Sequence, residues 1–349
     1  MRKVRLGKTD LLVTEVGFGG IPIMRRTRED AVALLRRALD LGINFIDTAN
    51  GYADSEEKIG EAIQGRRDQV ILATKALGRT GETFRKQAEA SFQRMRTDYI
   101  DLYQLHHVSK EPDIEQVFAP GGPYEVLRAM KEEGRIGTIG VTSHSAPVAL
   151  KAMETGLFEA VQFPLNFVGK EPIDEVLPVA RRLGMGFIVM KPLGGGLLER
   201  ADLALRFLAQ HEGLVPIPGI ETERELEDVV RIVEHPRPLT EADHREMDRI
   251  RQELGKEFCH RCEYCQPCPQ GIPIPMILNA RSFIKRMPPA RVATMMEERM
   301  AKARTCTQCG ECEARCPYEL PVATLVEEAV ALYDAFLAEH QAEIGAAER

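Results

Sequence analysis

The chain has 349 residues, 44% of them hydrophobic and 28% charged, with a formal net charge of −7. That length exceeds one typical domain, and the composition supports a sizeable buried core. Acidic and basic residues are mixed without a basic stripe, no apolar run approaches the roughly 18 residues of a membrane span, and Met1–Val13 alternates charged with apolar residues, so nucleic acid, membrane and secretion are set aside for a cytoplasmic protein.

In chain order, Lys3–Leu6 and Leu12–Glu15 flank Gly7-Lys-Thr-Asp10 and read as a hairpin placed to close the floor of a barrel. From Glu15 to about Ile220, short apolar runs alternate with amphipathic stretches. Strands are predicted at Glu15–Gly19, Phe45–Thr48, Val70–Lys75, Tyr99–His106, Thr138–Thr142, Ala160–Pro164, Gly186–Lys191 and Leu214–Pro218. Helices are predicted at Arg28–Leu41, Ser55–Gln64, Thr83–Arg96, Tyr124–Glu133, Pro147–Thr155, Ile173–Leu183, Asp202–Gln210 and Glu223–Glu234. In the first of these, Ala31, Leu34, Leu35, Ala38 and Leu41 keep the helical period. Eight strand–helix pairs in series imply a parallel sheet, and eight is the number that closes a barrel. An open doubly wound sheet is the competing arrangement. It usually carries a glycine-rich phosphate loop after its first strand, of which Gly17-Phe-Gly-Gly20 is a feeble version.

Pro236, Pro238 and a helical stretch from Thr240 to Leu254 lead out of this region. The expected fold is therefore α/β, a (β/α)8 TIM barrel over residues 1–235. A helical bridge over 236–256 and a mainly α-helical domain with a C-terminal helix over 257–349 complete the chain.

All eight cysteines lie between Cys259 and Cys316. An even count suggests disulfides in a short secreted chain, which this is not, so metal ligation is the better reading. Cys259-His-Arg-Cys262-Glu-Tyr-Cys265-Gln-Pro-Cys268-Pro269 is C-x2-C-x2-C-x2-C-P. Cys306-Thr-Gln-Cys309-Gly-Glu-Cys312-Glu-Ala-Arg-Cys316-Pro317 is C-x2-C-x2-C-x3-C-P, the bacterial ferredoxin run. Where two such runs share a domain, the distal cysteine reaches the other cluster. On that pattern Cys259, Cys262, Cys265 and Cys316 hold one [4Fe–4S] cluster, and Cys306, Cys309, Cys312 and Cys268 the second. The first run is one residue short before its last cysteine. Two zinc sites of four thiolates each are the alternative. Between the runs, Ile274–Arg286 and Ala290–Lys302 read as helices, and helices so placed resemble the α-helical ferredoxin modules of respiratory and pyrimidine-reducing enzymes.

Four further residues stand where strands hand over to loops at the C-terminal face, where barrel active sites sit. Asp47 ends the second strand, Tyr52 follows in its loop, Lys75 ends the third and His106 the fourth. Singly they read as a cap, a packing ring, a solvated cation and a structural imidazole. Four chemically compatible groups on three successive strands read as a site.

The stretches Phe45-Ile-Asp-Thr-Ala-Asn-Gly-Tyr52, Ser55-Glu-Glu-Lys-Ile-Gly60, Leu72-Ala-Thr-Lys75, Asp101-Leu-Tyr-Gln-Leu-His106 and Gly134-Arg-Ile-Gly-Thr-Ile-Gly-Val141 resemble the aldo-keto reductases. The resemblance runs from about Leu6 to Ile220. It implies that Tyr52 is the general acid, that Lys75 and Asp47 tune it, and that His106 orients a substrate carbonyl. A phenol has a reference pKa near 10, and a neighbouring ammonium brings it nearer the working range. The resemblance also implies that Thr142, Ser143 and Gln162 hold a nicotinamide carboxamide. Met190 falls where many relatives place an aromatic ring; a thioether packs on that face without stacking. NADPH-dependent relatives carry basic residues after the eighth strand, where this chain reads Ile217-Pro-Gly-Ile-Glu-Thr-Glu-Arg224. Gly219 and Glu225 take the aligned basic positions, leaving Arg224 nearby. NADH, NADPH held through Arg224, and no nucleotide at all stay open.

The activity these features imply is NAD(P)-dependent interconversion of a small carbonyl and an alcohol, beside a pair of [4Fe–4S] clusters. Nicotinamide delivers two electrons as hydride and a cluster takes one at a time, so a flavin normally stands between them, and no flavin fingerprint is present. An electron-transfer subunit whose barrel docks a flavoprotein or a ferredoxin is the second reading, and a nucleotide-binding sensor the third. Val108–Pro123 reads as a substrate-side loop.

Overall fold

The computed structural model describes residues 1–261 and 263–347, the last two of these by backbone alone. A two-stranded antiparallel hairpin opens the chain, β1 (Lys3–Arg5) pairing with β2 (Leu12–Thr14). Eight parallel strands follow: β3 (Phe18–Gly19), β4 (Phe45–Asp47), β5 (Ile71–Ala76), β6 (Ile100–Leu105), β7 (Ile136–Thr142), β8 (Ala160–Pro164), β9 (Gly186–Met190) and β10 (Leu214–Pro216). Each pairs with the next in sequence. The ring is completed where the Gly17 and Gly19 N–H groups donate to the carbonyls of Pro216 and Pro218, both at 2.9 Å, and Gly19 pairs with Gly219. A Cβ on Gly19 would lie 2.8 Å from the Ile217 carbonyl oxygen. Gly17 and Gly19 thus belong to the barrel seam, and Gly20 packs on the β4 side, where its N–H donates to the Asp47 carbonyl at 2.8 Å.

Because side chains alternate along a strand, residues two apart share a face. Phe45, Ala73, Leu102, Ala160, Ile188 and Val215 form one buried cluster inside the barrel, and the hairpin residues Leu6 and Val13 join it. The hairpin is tied in further by Asn44, whose side chain accepts from the Thr14 N–H at 2.6 Å and donates to the Leu12 carbonyl at 2.9 Å. The hairpin therefore packs at the ends where β4 and β9 begin, and the opposite ends are left for polar side chains.

The outer helices follow their apolar stripes. Arg28–Asp40 buries Ala31, Leu34, Leu35 and Ala38, and the Thr27 hydroxyl caps it by accepting the Asp30 N–H at 3.1 Å. Three expectations change, one of them outside the barrel, where the helix expected over Ile274–Arg286 is two, Ile274–Ile277 and Ala280–Arg286. The single helix expected over Ile173–Leu183 is two, Pro172–Glu175 and Leu177–Leu183, broken at Val176. Pro178 has no N–H to give and crowds the carbonyl one turn back. The Val108–Pro123 loop contains a helix, Glu111–Val117, whose entry is fixed by the Asp113 carboxylate accepting the Ser109 and Lys110 N–H groups.

The chain divides into two units, Met1–Gly194 with Leu198–Leu239, and Gly195–Leu197 with Thr240–Arg349. Among its described residues the second unit is helical, with its longest helices at Glu241–Gly255, Pro289–Ala303 and Val322–Glu339. Ile277, Val292, Met296, Met300, Val326 and Phe336 form its core, against which Cys259, Cys268, Cys306, Cys312 and Cys316 pack. Tyr333 is anchored there by donating to the Ala293 carbonyl at 2.8 Å. Among the described residues no helix is long and apolar enough to cross a membrane.

Candidate active site and cysteine cavity

The alternation that lines the barrel core continues to the strand ends. Two residues beyond Phe45 stands Asp47, and two beyond Ala73 stands Lys75; Gln104, Gln162 and Met190 follow Leu102, Ala160 and Ile188 in the same way. Lys75 donates to Asp47 Oδ1 at 2.5 Å and to the Thr48 carbonyl at 2.8 Å. Both partners of this ion pair are buried. Gln104 Nε2 donates to Asp47 Oδ2 at 3.3 Å and to Gln162 Oε1 at 2.9 Å, and Gln162 Nε2 stands 3.5 Å from Asp47 Oδ1. The Lys75 ammonium is 5.3 Å from the centroid of the Tyr52 ring. The Tyr52 and His106 rings meet edge to face, 5.9 Å apart. The four residues of the expected tetrad are thus brought together.

Burial sets the electrostatics. It pushes the Lys75 ammonium below its ordinary range, and the Asp47 charge opposes that shift. It pushes the Asp47 carboxyl up, opposed by Lys75 and the two glutamine amides. Removing either partner leaves an uncompensated buried charge, a loss of about 3–5 kcal/mol. Burial first, and then the Lys75 cation, hold His106 well below the usual imidazole range, so the ring is neutral at pH 7. His106 Nδ1 and Gln104 Oε1 are buried without a hydrogen-bond partner among the described residues. Native structures rarely leave such atoms orphaned, and a ligand is one of the things that satisfies them.

Backbone strain marks the same rim. Ala53, His107 and Lys191 adopt positive φ of 40°, 58° and 56°, each directly after a site residue, Tyr52, His106 and Met190. Non-glycine residues there cost about 1–3 kcal/mol apiece and persist only when their surroundings hold them. For His107 the clamp is visible. Its N–H donates to Thr142 Oγ1 at 2.7 Å, and Arg79 Nη2 donates to the His106 and His107 carbonyls at 3.0 and 2.8 Å. Asp113 holds Arg79 in turn at 3.1 Å.

The residues expected to contact a nicotinamide are placed less uniformly. Thr142, Ser143 and Gln162 are buried at the ends of β7 and β8. Ser143 Oγ is occupied with the Ser145 backbone, and Gln162 with Gln104. Met190 is half-buried at the end of β9. Arg224 is exposed. Glu225 turns back over the start of helix Glu223–Glu234, where its carboxylate accepts the Glu221 N–H at 2.7 Å and the Thr222 N–H at 3.3 Å. The place where helix geometry favours a phosphate is filled by the chain's own anion. Sequence reasoning passed over Gln104 and Glu56. Gln104 shares the inward parity of Leu102 and interrupts an apolar strand, which is a readable signal; Glu56 sits on a helix whose buried face depends on packing.

In the helical unit Cys268, Cys306, Cys309 and Cys312 line one cavity, with Ile272, Ile274 and Val326 forming its apolar wall. Cys265 is buried, Cys259 and Cys316 are half-buried, and Cys309 is exposed; no disulfide joins the seven described cysteines. Cys262 lies outside the described residues. Both runs wind alike: Arg261 and Glu263 take φ of 59° and 64°, and Gln308 and Gly310 take 53° and 76°, on either side of the middle cysteine. Only one of those four positions is glycine, so the first run keeps this path against a steric cost. Thiol donors, an apolar wall and a shared loop path fit an iron–sulfur cluster.

Residues 15–203 match the Aldo/keto reductase family, and residues 258–321 match a 4Fe-4S dicluster domain. The chain is 32% identical over 217 residues to the uncharacterized oxidoreductase YqkF of Bacillus subtilis, covering 58% of this chain and 68% of that protein. It is 35% identical over 182 residues to the aldo-keto reductase YhdN of the same organism, covering 48% of this chain and 53% of that one. Among solved structures, the holo form of a Bacillus halodurans aldo-keto reductase superposes with a TM-score of 0.63 at 25% identity, covering 72% of this chain and 96% of that one. A Klebsiella pneumoniae aldo/keto reductase, crystallised with NADP and acetate, superposes with a TM-score of 0.61 at 24% identity, covering 71% of this chain and 95% of that one.

Proposed function

From a chain that belongs to the aldo/keto reductase family, we propose an NAD(P)-dependent enzyme of the cytoplasm that interconverts a small carbonyl compound and its alcohol beside two [4Fe–4S] clusters. The observation that carries this reading is the buried Asp47–Lys75 pair set against the Tyr52 ring, with His106 edge-on to that ring. NAD(P)H, when bound, supplies the hydride. The chain's own residues handle the proton and the charge. Lys75, held charged by Asp47 and the Thr48 carbonyl, favours the phenolate side of Tyr52 and so lowers the cost of giving the phenol proton to the substrate oxygen. His106, being neutral, donates one ring N–H to that oxygen without bringing a second cation beside Lys75. Alcohol oxidation runs the same groups in reverse.

Thr142, Ser143 and Gln162 would hold the carboxamide, and Met190 would pack against the nicotinamide ring. Glu225 favours NADH, because a 2′-phosphate there meets its carboxylate, while the neighbouring Glu221 is compensated by Arg25 at 3.3 Å and Arg224, next in the chain, is exposed. Cys268 with Cys306, Cys309 and Cys312 would hold one cluster, and Cys259, Cys262, Cys265 and Cys316 the other. A flavoprotein or ferredoxin is the redox partner this pair of clusters would serve.

The test is an anaerobic titration of the cluster-replete protein with NADH and with NADPH, followed by absorbance and EPR, with a panel of aldehydes and ketones. Tight NADH binding and carbonyl turnover with oxidised clusters are expected. No nucleotide binding, together with clusters that charge from a reduced flavoprotein, would replace this reading with that of an electron-transfer subunit.

A further inference from the structure

Among the described residues one buried carboxylate stands outside the tetrad of Asp47, Tyr52, Lys75 and His106. Glu56, on the helix Ser55–Ala62 that follows the Tyr52 loop, is fully buried at 0% exposure. Its Oε1 accepts from the Thr74 hydroxyl at 2.8 Å, and Thr74 directly precedes Lys75 in β5. Its Oε2 faces Arg94 Nη1 at 3.4 Å, and the same guanidinium donates to the Asn50 carbonyl at 3.1 Å. The Asn50 N–H donates to the Lys75 carbonyl at 2.9 Å. Glu56 is therefore connected to the Lys75 segment along two paths.

Its own countercharge is incomplete. The Arg94 side chain is 35% exposed and is shared with Glu57 at 3.2 Å, so water and a second carboxylate dilute what Arg94 returns to Glu56. Burial pushes the Glu56 carboxyl up, opposed by Ser91, Thr74 and Arg94. The groups that face the Lys75 ammonium are Asp47 on β4, Tyr52 in its loop and His106 at the end of β6, and the Glu56 charge bears on it from the other face of β5, to which Thr74 points. Those around Glu56 are Thr74 on β5, Tyr103 on β6, and Ser91 and Arg94 on helix Gly81–Met95. Of all these, Asp47 and Glu56 are the two that favour a charged lysine.

We propose that Glu56 is a positioning residue for carbonyl reduction, a second buried counter-charge that keeps the Lys75 ammonium protonated and thereby keeps Tyr52 poised to give its proton. The proposal rests on the reductase reading, and its test has an arm that needs no turnover. Protein labelled with ¹⁵N at lysine Nζ gives a Lys75 resonance, assigned by its disappearance in Lys75→Arg, whose midpoint is followed with pH. In Glu56→Gln the Lys75 midpoint falls by about half to one pH unit, and the alkaline limb of kcat/KM moves down with it. In Arg94→Met the same midpoint moves the other way, by less. An unmoved midpoint in folded Glu56→Gln, or activity lost equally at every pH, overturns the proposal. Should Glu56→Gln fail to fold, the upward shift in Arg94→Met decides, and its absence counts against the proposal. A parent whose Lys75 midpoint shifts in this way yet which reduces no carbonyl sinks the reductase reading and leaves the Glu56–Lys75 coupling standing.

Discussion

In the barrel, Asp47, Lys75 and Gln162 come from strands far apart in the chain and meet because register aligns them, Asp47 beside Ala73, Lys75 beside Gln104 and Thr142 beside Gln162. In the helical unit, Cys306, Cys309 and, on the short helix Glu311–Ala314, Cys312 reach their cavity from one run, and among the described cysteines Cys268 is the one that lines it from elsewhere. The first site is a product of the whole sheet. A strand slipped by one residue would turn its polar end outward. The second is local, written into spacing and two left-handed residues on each loop, and it leans on the helical core for its wall. A barrel site should therefore respond to substitution through chemistry and buried charge, and the cysteine site through occupancy.

The largest effect that sharpens this contrast is expected for Tyr52→Phe. Removing the proton donor should lower kcat by about 10²- to 10⁴-fold, with iron content and the cluster EPR signals unchanged. Equal loss of clusters and turnover would mean that the two sites are not separable. Next comes Cys268→Ser, expected to halve the iron and to remove the same EPR signal that Cys306→Ser removes, while Cys265→Ser removes the other. If Cys268→Ser and Cys265→Ser abolish the same signal, each run binds its own cluster and the crossed ligation is wrong.

A smaller effect concerns pH. The folded pKa of His106 is depressed below the ordinary 6.5, mainly by burial. As pH falls through 6.5 the unfolded chain takes up a proton that the folded chain refuses, so the stability present above 6.5 is lost progressively on acidification. The loss is at most about 1.4 kcal/mol per pH unit, and each kcal/mol is roughly 2–4 °C in Tm for a unit of this size. Melts of parent and His106→Gln, both cluster-replete, should run parallel above pH 6.5 and part below it, with the parent falling more steeply. Parallel acid slopes in the two proteins would show that the imidazole is solvated.

How far sequence could see follows the same division. The eight strands were legible because their apolar runs are bounded by turns, and the tetrad because Asp47, Lys75 and His106 end successive strands, with Tyr52 in the loop after the first of them, inside motifs that resemble a known family. The cysteine runs needed nothing beyond spacing. Gly17–Gly20 is a weak signal because a barrel seam and a phosphate loop both demand glycine, for different neighbours. The helix Glu111–Val117 is too short and polar to show a period, and the break at Val176 is signalled by Pro178 but hidden in an otherwise continuous pattern. Glu56 is the hardest: next to Glu57 in sequence, it alone is fully buried, and which of two adjacent glutamates faces inward is decided by packing against β5 and the following helix.

Glu225 offers the finest test, because its charge and its capping role can be separated. Its carboxylate accepts the Glu221 and Thr222 N–H groups, while Thr222 Oγ1 accepts the Glu225 N–H at 3.2 Å. Glutamine keeps an acceptor in that capping box and removes the charge. Glu225→Gln should therefore melt within about 1 kcal/mol of the parent and shift the ratio of kcat/KM for NADPH over NADH upward by about two- to fivefold, the scale of one exposed charge at a helix start. Arginine at the same position should shift the ratio further, at the cost of the cap. An unchanged ratio in both variants would place the adenosine end of the cofactor away from helix Glu223–Glu234, and with it the case for NADH over NADPH would lose its footing.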